Sequence, residues 1–243
     1  PRWLDVFFGL EKLGMYAVPV NIALRGDQLA HIINDSDALF VVIDHDLLPH
    51  YLAVENRLGK VERVIVNTQD ASDEFAAPAG WVDLEKAYGP GADASKPLVT
   101  YNPDDLLIIM YTSGTTGLPK GVVYRYRNST VKSISIMSRF FLNRNDVYYT
   151  CYPLFHANAL LCGLTGALLS EATFAMSARF TASGFWEELA TIGAHHTALL
   201  GSMVPLLLAA DERPAERSHA VRMAYCAPLP ERVEAFEQRF GLK

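Results

Sequence analysis

Between Tyr111 and Val122 the chain reads YTSGTTGLPKGV, and nowhere else do hydroxyls, glycines and a lysine crowd so closely. Such a composition can grip phosphate. Gly114 and Gly117 are free to take positive φ and let the backbone approach a polyphosphate, and successive N–H groups in such a turn form an anion-binding concavity. The hydroxyls of Thr112, Ser113, Thr115 and Thr116 add donors. Lys120 adds a mobile point charge suited to phosphate oxygens. A surface turn rich in small residues is the bland reading of the same stretch.

A Walker A loop would need four residues between its first glycine and Gly-Lys-Ser/Thr, and would run from a strand into a helix. Here Lys120 follows Pro119 and precedes the β-prone run Gly121-Val122-Val123-Tyr124, so the loop is predicted to join two strands. A second candidate is His156, in Pro153-Leu154-Phe155-His156. Taken alone it reads as a structural histidine beside an apolar run. Its place after a predicted parallel strand is nevertheless where open α/β sheets bind ligands.

The elements that would position these residues follow from periodicity. Trp3, Val6, Phe7, Leu10 and Leu13 predict an opening helix, followed by a strand at Ala17–Val20, a helix at Asp27–Asn34 and a buried strand at Leu39–Ile43. A helix through Leu47–Leu58 and a strand at Val64–Val66 come next. The Pro- and Gly-rich stretch Asn67–Asp104 forms the internal boundary. Strand Leu106–Tyr111 delivers the loop. Beyond it are helix Thr130–Phe141, strand Val147–Cys151, helix Ala159–Ser170, strand Thr173–Met176, helix Phe185–Ile192, strand Thr197–Leu200, helix Val204–Ala209, strand Val221–Cys226 and helix Glu231–Phe240. The alternation implies an α/β fold with mainly parallel sheets.

The chain has 243 residues, 50% of them apolar and 20% charged, a globular and not a disordered composition. Its net charge of -6 argues against bulk nucleic-acid binding. Cys151, Cys162 and Cys226 lie in apolar runs without metal-ligand spacing and read as buried free thiols, hence a cytoplasmic location. The uncharged run between Asp146 and Glu171 is broken by Pro153, His156 and Asn158, so a strand and a core helix are expected there and no membrane span. No metal site is read from the residues, and the oligomeric state is left open.

YTSGTTGLPKG resembles the signature of the adenylate-forming superfamily: acyl-CoA synthetases, aryl-CoA ligases, peptide-synthetase adenylation domains and beetle luciferases. The resemblance runs from Glu11–Val20 to Phe236–Lys243. Within the superfamily the chain looks most similar to the carnitine/crotonobetaine-CoA ligase-like group, through Asp146-Val147-Tyr148, Pro153–His156 and Phe185–Met203. The resemblance implies stacked αβα subdomains in a truncated N-terminal domain. Residues 1–104 would be a first, N-terminally cut subdomain, and 105–243 a second, C-terminally cut one carrying the phosphate loop 111–122.

The activity implied is that of an ATP-dependent acid–thiol ligase using ATP, Mg2+ and CoA to activate a small carboxylate as its acyl-adenylate and pass it to CoA. Thr112, Ser113, Gly114, Thr115, Thr116, Gly117 and Lys120 would hold the phosphates, with Lys120 and His156 as catalytic residues. His156, Gly201, Ser202, Tyr225, Cys226, Ala227 and Pro228 would line the acyl and adenine pocket, Ala227-Pro228-Leu229 matching the family's Gly-Ala-Pro-Leu turn. Tyr225 and Cys226 stand where small residues are common, which implies a compact acyl group. Arg125-Tyr126 replaces the usual Thr/Ser-His, a change without a reading at this level. The family's Gly-Tyr-Gly-x-Thr-Glu motif, ribose Asp and distal adenylation Lys do not occur in these residues, so the chain alone is expected to be an inactive part of a ligase. A non-catalytic binding module on a degenerate adenylation fold is the alternative, ahead of luciferase-like oxidation and peptide-synthetase loading.

Overall fold

The computed structural model describes residues 2–71, 75–88, 99–112, 117–127, 141–229 and 231–242. The helix expected over Thr130–Phe141 lies outside them except for Phe141. The chain divides into two compact units, Pro1–Arg127 and Asn128–Lys243. That division follows the strand pair carrying the glycine-rich loop, whereas the sequence boundary at 104/105 was placed before it.

In the first unit, helix α1 spans Arg2–Lys12 and helix α2 spans Gly26–Asp35. Strand β1 (Phe40–Asp44), short helix α3 (Leu48–Leu52) and strand β2 (Arg63–Asn67) follow. β2 also pairs in parallel with a two-residue strand β3 (Val82–Asp83), giving the order β1-β2-β3. Helix α4 (Leu84–Ala87) starts at Asp83, whose carboxylate caps the amides of Glu85 and Lys86. Ile33, Leu48, Tyr51, Val64 and Val66 form the core of this sheet, with Leu29, Val41 and Ile43 packed against it. Three expectations change. The strand at Ala17–Val20 reduces to one bridge between Ala17 and Ile108. The helix through Leu47–Leu58 breaks into α3 and flanking 3₁₀ turns. β1 is only half-buried, because it occupies an edge of its sheet.

Strands β4 (Leu106–Thr112) and β5 (Lys120–Arg125) are antiparallel partners, so the loop joins strand to strand as expected.

The second unit is built on strands β6 (Val147–Thr150), β7 (Thr173–Met176), β8 (His196–Leu200) and β9 (Met223–Ala227), all parallel in the order β7-β6-β8-β9. A π-helical turn at Asn158–Leu164 runs into helix α5 (Thr165–Leu169). Helices α6 (Phe185–Ile192), α7 (Met203–Ala209) and α8 (Val233–Phe240) follow. Neighbouring residues of β6 point to opposite faces. Tyr148 lies so close under the π turn that a Cβ on Gly163 would stand 2.8 Å from its ring. Tyr149 is fully buried on the other face, where its ring meets Phe185 and its hydroxyl donates to Glu188 at 2.7 Å. Burying side chains of this size is worth about 1.5–3 kcal/mol each. Helices therefore cover both faces, and the fold is the mainly parallel α/β class expected.

Two left-handed glycines end helices here, Gly193 after α6 and Gly241 after α8, both with φ near the αL well. Arg239 ties α8 down. Its guanidinium makes a two-pronged pair with Glu216, at 2.9 and 2.7 Å, and also donates to the carbonyls of Leu208 and Ala210.

Candidate active site

The last pair of the β4–β5 ladder sets Thr112 opposite Lys120, with the Thr112 hydroxyl 3.5 Å from the Lys120 carbonyl. Ser113, Gly114, Thr115 and Thr116 lie outside the described residues. Thr112, Gly117 and Lys120 are exposed, and Lys120 has no acidic partner among the described residues. A solvated cation at the mouth of a hairpin is available to an anion. Gly121 is dictated by packing, since a Cβ there would come within 3.0 Å of Ile109 and 3.1 Å of the Tyr111 ring.

The base of the hairpin explains Arg125-Tyr126. The Arg125 guanidinium donates to the Asp104 carbonyl, and the Tyr126 ring stacks on Tyr101 with centroids 4.2 Å apart. Burial raises the Tyr126 pKa, so the phenol stays neutral. This departure from the family pattern closes the hairpin onto residues 101–105 and takes no part at its mouth. Sequence reading also missed His31 and Asp35 of α2. The His31 ring nitrogen Nε2 bonds the Pro119 carbonyl, and the Tyr111 hydroxyl donates to Asp35. Their i, i+4 spacing on the polar face of an amphipathic helix was the available signal.

In the second unit, parallel pairing brings the carboxyl ends of β6, β8 and β9 to one edge of the sheet. His156 follows β6 in a turn, its N–H donating to Pro153 and its carbonyl accepting from Leu160 to start the π turn. π-helical turns occur often at functional sites. The imidazole is exposed at the surface and tilted against Phe155, and desolvation by the surrounding protein lowers its pKa. At neutral pH it is an uncharged acceptor or donor.

Gly201, Ala227 and Pro228 converge. The Gly201 amide approaches the Ala227 carbonyl at 3.4 Å, one step past the Leu200–Ala227 pair. A Cβ on Gly201 would lie 2.6 Å from the Pro228 carbonyl oxygen, so a larger residue would force the backbones apart. The Ala227–Pro228 peptide is cis. Ser202 is exposed beside them. Tyr225 and Cys226, grouped together by their bulk, occupy opposite faces of β9. Tyr225 is 53% exposed and aligned with the exposed Met223, whereas Cys226 lines a pocket of about 130 Å³ against α8 with Leu199, Ala224, Val233 and Phe236. Asn158 Oδ1 is buried without a partner among the described residues.

The amino edge of the same sheet has the opposite character. Asp146 is buried just before β6 and accepts from Arg222 at 2.5 Å and from the Asn143 amide at 3.0 Å. Arg222 also reaches His196 Nε2 at 3.0 Å. Burial, opposed by Asp146 and assisted by Arg222, lowers the His196 pKa, so the ring is neutral and accepts from Arg222. Asp146 is held below the usual carboxylate range: desolvation raises its pKa, but the Asn143 amide, Arg222 and His196 together outweigh that.

None of the three cysteines is in a disulfide, and Cys151 is buried while the other two are half-buried. Burial pushes the Cys151 thiol up to about 11 and raises the others, so none is an activated thiolate. No described helix is long and apolar enough to cross a membrane.

Relatives place this geometry in context. Rat long-chain fatty acid transport protein 1 is 30% identical over 256 residues, covering 100% of this chain and 38% of the relative. Crotonobetaine/carnitine–CoA ligase of Shigella sonnei (strain Ss046) is 28% identical over 245 residues, covering 100% of this chain and 47% of the relative. The chain thus spans less than half the length of these curated relatives. In fold it is similar to the crystal structure of the anthranilate CoA ligase AuaEII in complex with anthranoyl-AMP, with a TM-score of 0.83 at 18% identity over 100% of this chain and 46% of that one. The sequence profile of the AMP-binding enzyme family matches residues 1–243, and the chain, with its Thr112–Lys120 hairpin and parallel α/β sheet, belongs to that family.

Proposed function

We propose that the chain is part of an ATP-dependent acid–thiol ligase. A carboxylate oxygen attacks the α-phosphorus of ATP and the bond to pyrophosphate breaks. The sulfur of CoA then attacks the acyl carbon of the adenylate, and AMP leaves with the bonding pair. A carboxylate is a poor electrophile, and exchanging oxide for AMP as leaving group is what makes the thioester accessible. The protein's task is positioning and charge stabilisation.

The observation that carries the reading is the exposed Lys120, without an acidic partner among the described residues, facing Thr112 across the mouth of an antiparallel hairpin in a chain of the AMP-binding family. Thr112, Gly117 and Lys120, with Ser113, Gly114, Thr115 and Thr116, would hold the departing phosphates. His156 would stand at the carboxylate as a neutral imidazole. Gly201, Ser202, Ala227 and Pro228 would shape the pocket, with Tyr225 as its outer wall on one face and Cys226 behind it. Magnesium would arrive on the ATP phosphates. There it would neutralise phosphate charge. Three cysteines outside any disulfide fit a cytosolic setting.

The test is pyrophosphate release from ATP with a panel of carboxylates, with and without CoA. The assay uses the protein with whatever sequence flanks these 243 residues in its gene. Release that depends on one acid class, followed by CoA consumption, is expected. ATP binding without release for any acid would overturn the ligase reading in favour of a non-catalytic binding module. The 243-residue chain alone is expected to release none.

A further inference from the structure

We infer that His31 and Asp35 are positioning residues for the glycine-rich loop, clamping its two stems from a single helix. The inference rests on the phosphate-grip reading above. His31 and Asp35 are one helical turn apart, so they project from the same face of α2. One reaches each stem: the Tyr111 hydroxyl donates to Asp35 Oδ2 at 2.6 Å, and His31 Nε2 donates to the Pro119 carbonyl at 2.9 Å. The rings of His31 and Tyr111 also meet edge-on, with centroids 6.4 Å apart. Tyr111 immediately precedes Thr112, and the Pro119 carbonyl belongs to the peptide that contains the Lys120 nitrogen. Each bond therefore acts one residue from the Thr112–Lys120 pair.

The helix is itself fixed. Its apolar face, through Leu29 and Ile33, is packed into the core built on Leu48, Tyr51, Val64 and Val66. Asn34 fastens it further, bonding the Arg57 carbonyl at 3.0 Å and accepting from the Gly59 amide at 3.1 Å. Burial and the Asp35 carboxylate both raise the Tyr111 pKa, so its phenol remains a donor through the physiological range. Pro119 is buried, and a buried carbonyl needs a hydrogen-bond partner, which His31 supplies. Gly121 leaves room for the Tyr111 ring. A rigid helix thus sets the separation of the two stems, and with it the distance between the groups meant to meet one phosphate chain.

The experiment pairs hydrogen exchange on peptides spanning 106–125 of this chain with steady-state pyrophosphate release by the protein with its flanking sequence. Asp35→Ala and His31→Ala are each expected to speed exchange in the stems and lower kcat/KM for ATP about tenfold, a scale that small misplacement of reacting groups reaches. KM for the carboxylate should not move. Asp35→Asn and His31→Gln, which keep an acceptor and a donor, should restore most of both readouts. Tyr111→Phe removes the same bond as Asp35→Ala from the other side and should match it, the double variant adding nothing; it also serves if Asp35→Ala fails to fold. Lys120→Ala separates the two readings. If it abolishes release while the α2 variants change neither exchange nor kinetics, the clamp is wrong and the grip stands. If Lys120→Ala is harmless, the grip is wrong, and unchanged exchange in the α2 variants would then dispose of the clamp as well.

Discussion

The two edges of the parallel sheet in the second unit use polar groups in opposite ways. At the amino edge, Asp146 just before β6, His196 at the start of β8 and Arg222 just before β9 satisfy one another, two of them buried. At the carboxyl edge, His156 and Ser202 are exposed, as is Tyr225 in the middle of β9, and the close approach of Gly201 to Pro228 leaves backbone where side chains would otherwise stand. Polar groups that saturate each other hold strands together, whereas groups left open are available for a ligand. The mouth of the β4–β5 hairpin, where Lys120 has no acidic partner among the described residues, belongs with the second kind. Substitutions in open regions should therefore alter chemistry with little effect on stability, and those in the closed cluster should do the reverse.

The largest effect is expected at Lys120. Lys120→Ala should slow pyrophosphate release by the flanked protein roughly a hundred- to thousandfold, equivalent to about 3–4 kcal/mol of transition-state stabilisation. Thr116→Ala is expected to act in the same direction, and the urea midpoint of either variant should stay in place. A midpoint falling in step with activity would put Lys120 among the structural groups and break the comparison.

Asp146→Ala tests the closed edge. Removing the carboxylate leaves the Arg222 charge and the Asn143 amide without their acceptor, so unfolding free energy should fall by about 2–3 kcal/mol. Equilibrium urea denaturation measures this, and kcat/KM for ATP in the flanked protein should hold. Loss of activity at unchanged stability would assign the cluster to the chemistry instead.

At Tyr225 the effect should be one of selectivity. If its exposed ring limits acyl length, Tyr225→Gly will admit longer acids, shifting discrimination by about 1–3 kcal/mol per lost contact. The cost in stability should stay near 1 kcal/mol, the span of strand propensities. Competition with acids of increasing length decides this, and a wild-type preference for palmitate-length acids would remove the premise.

The smallest effect concerns pH. The folded pKa of His196 lies below its unfolded value of about 6.5, so below that pH the unfolded chain takes up a proton that the folded chain resists. Its contribution to stability is present above the unfolded pKa and is lost as pH falls through the folded one. Urea midpoints should drop between neutral and mildly acidic pH, and His196→Gln should flatten the slope. His156 is shifted in the same direction but is exposed, so His156→Gln should flatten it less. Equal flattening by both would mean that the two edges are equally desolvated.

Much of this chain could be read from residues close together in sequence. The strand-to-strand nature of the loop followed from Pro119 and the valines after Lys120, and most strand–helix alternation in the second unit followed from apolar spacing, because both depend on local backbone preference and side-chain period. Spacing alone did not reveal the π turn after His156, the short strand β3 within the stretch read as loop, or the reduction of Ala17–Val20 to one bridge, since each depends on what neighbouring segments leave room to pair.

The contacts that settle what each polar group does lie far apart in the chain. Tyr111 meets Asp35, Pro119 meets His31, Arg222 meets Asp146, and Gly201 yields to Pro228. Sequence by itself established the α/β class and the chemical character of the Thr112–Lys120 stretch, because contiguous residues specify both. Only the tertiary structure decided which histidine is sealed at the amino edge and which is open at the carboxyl edge, and that Tyr225 and Cys226 face apart. Strand order and register choose each side chain's partners, and burial then determines whether its polarity is spent on the fold or left for a ligand.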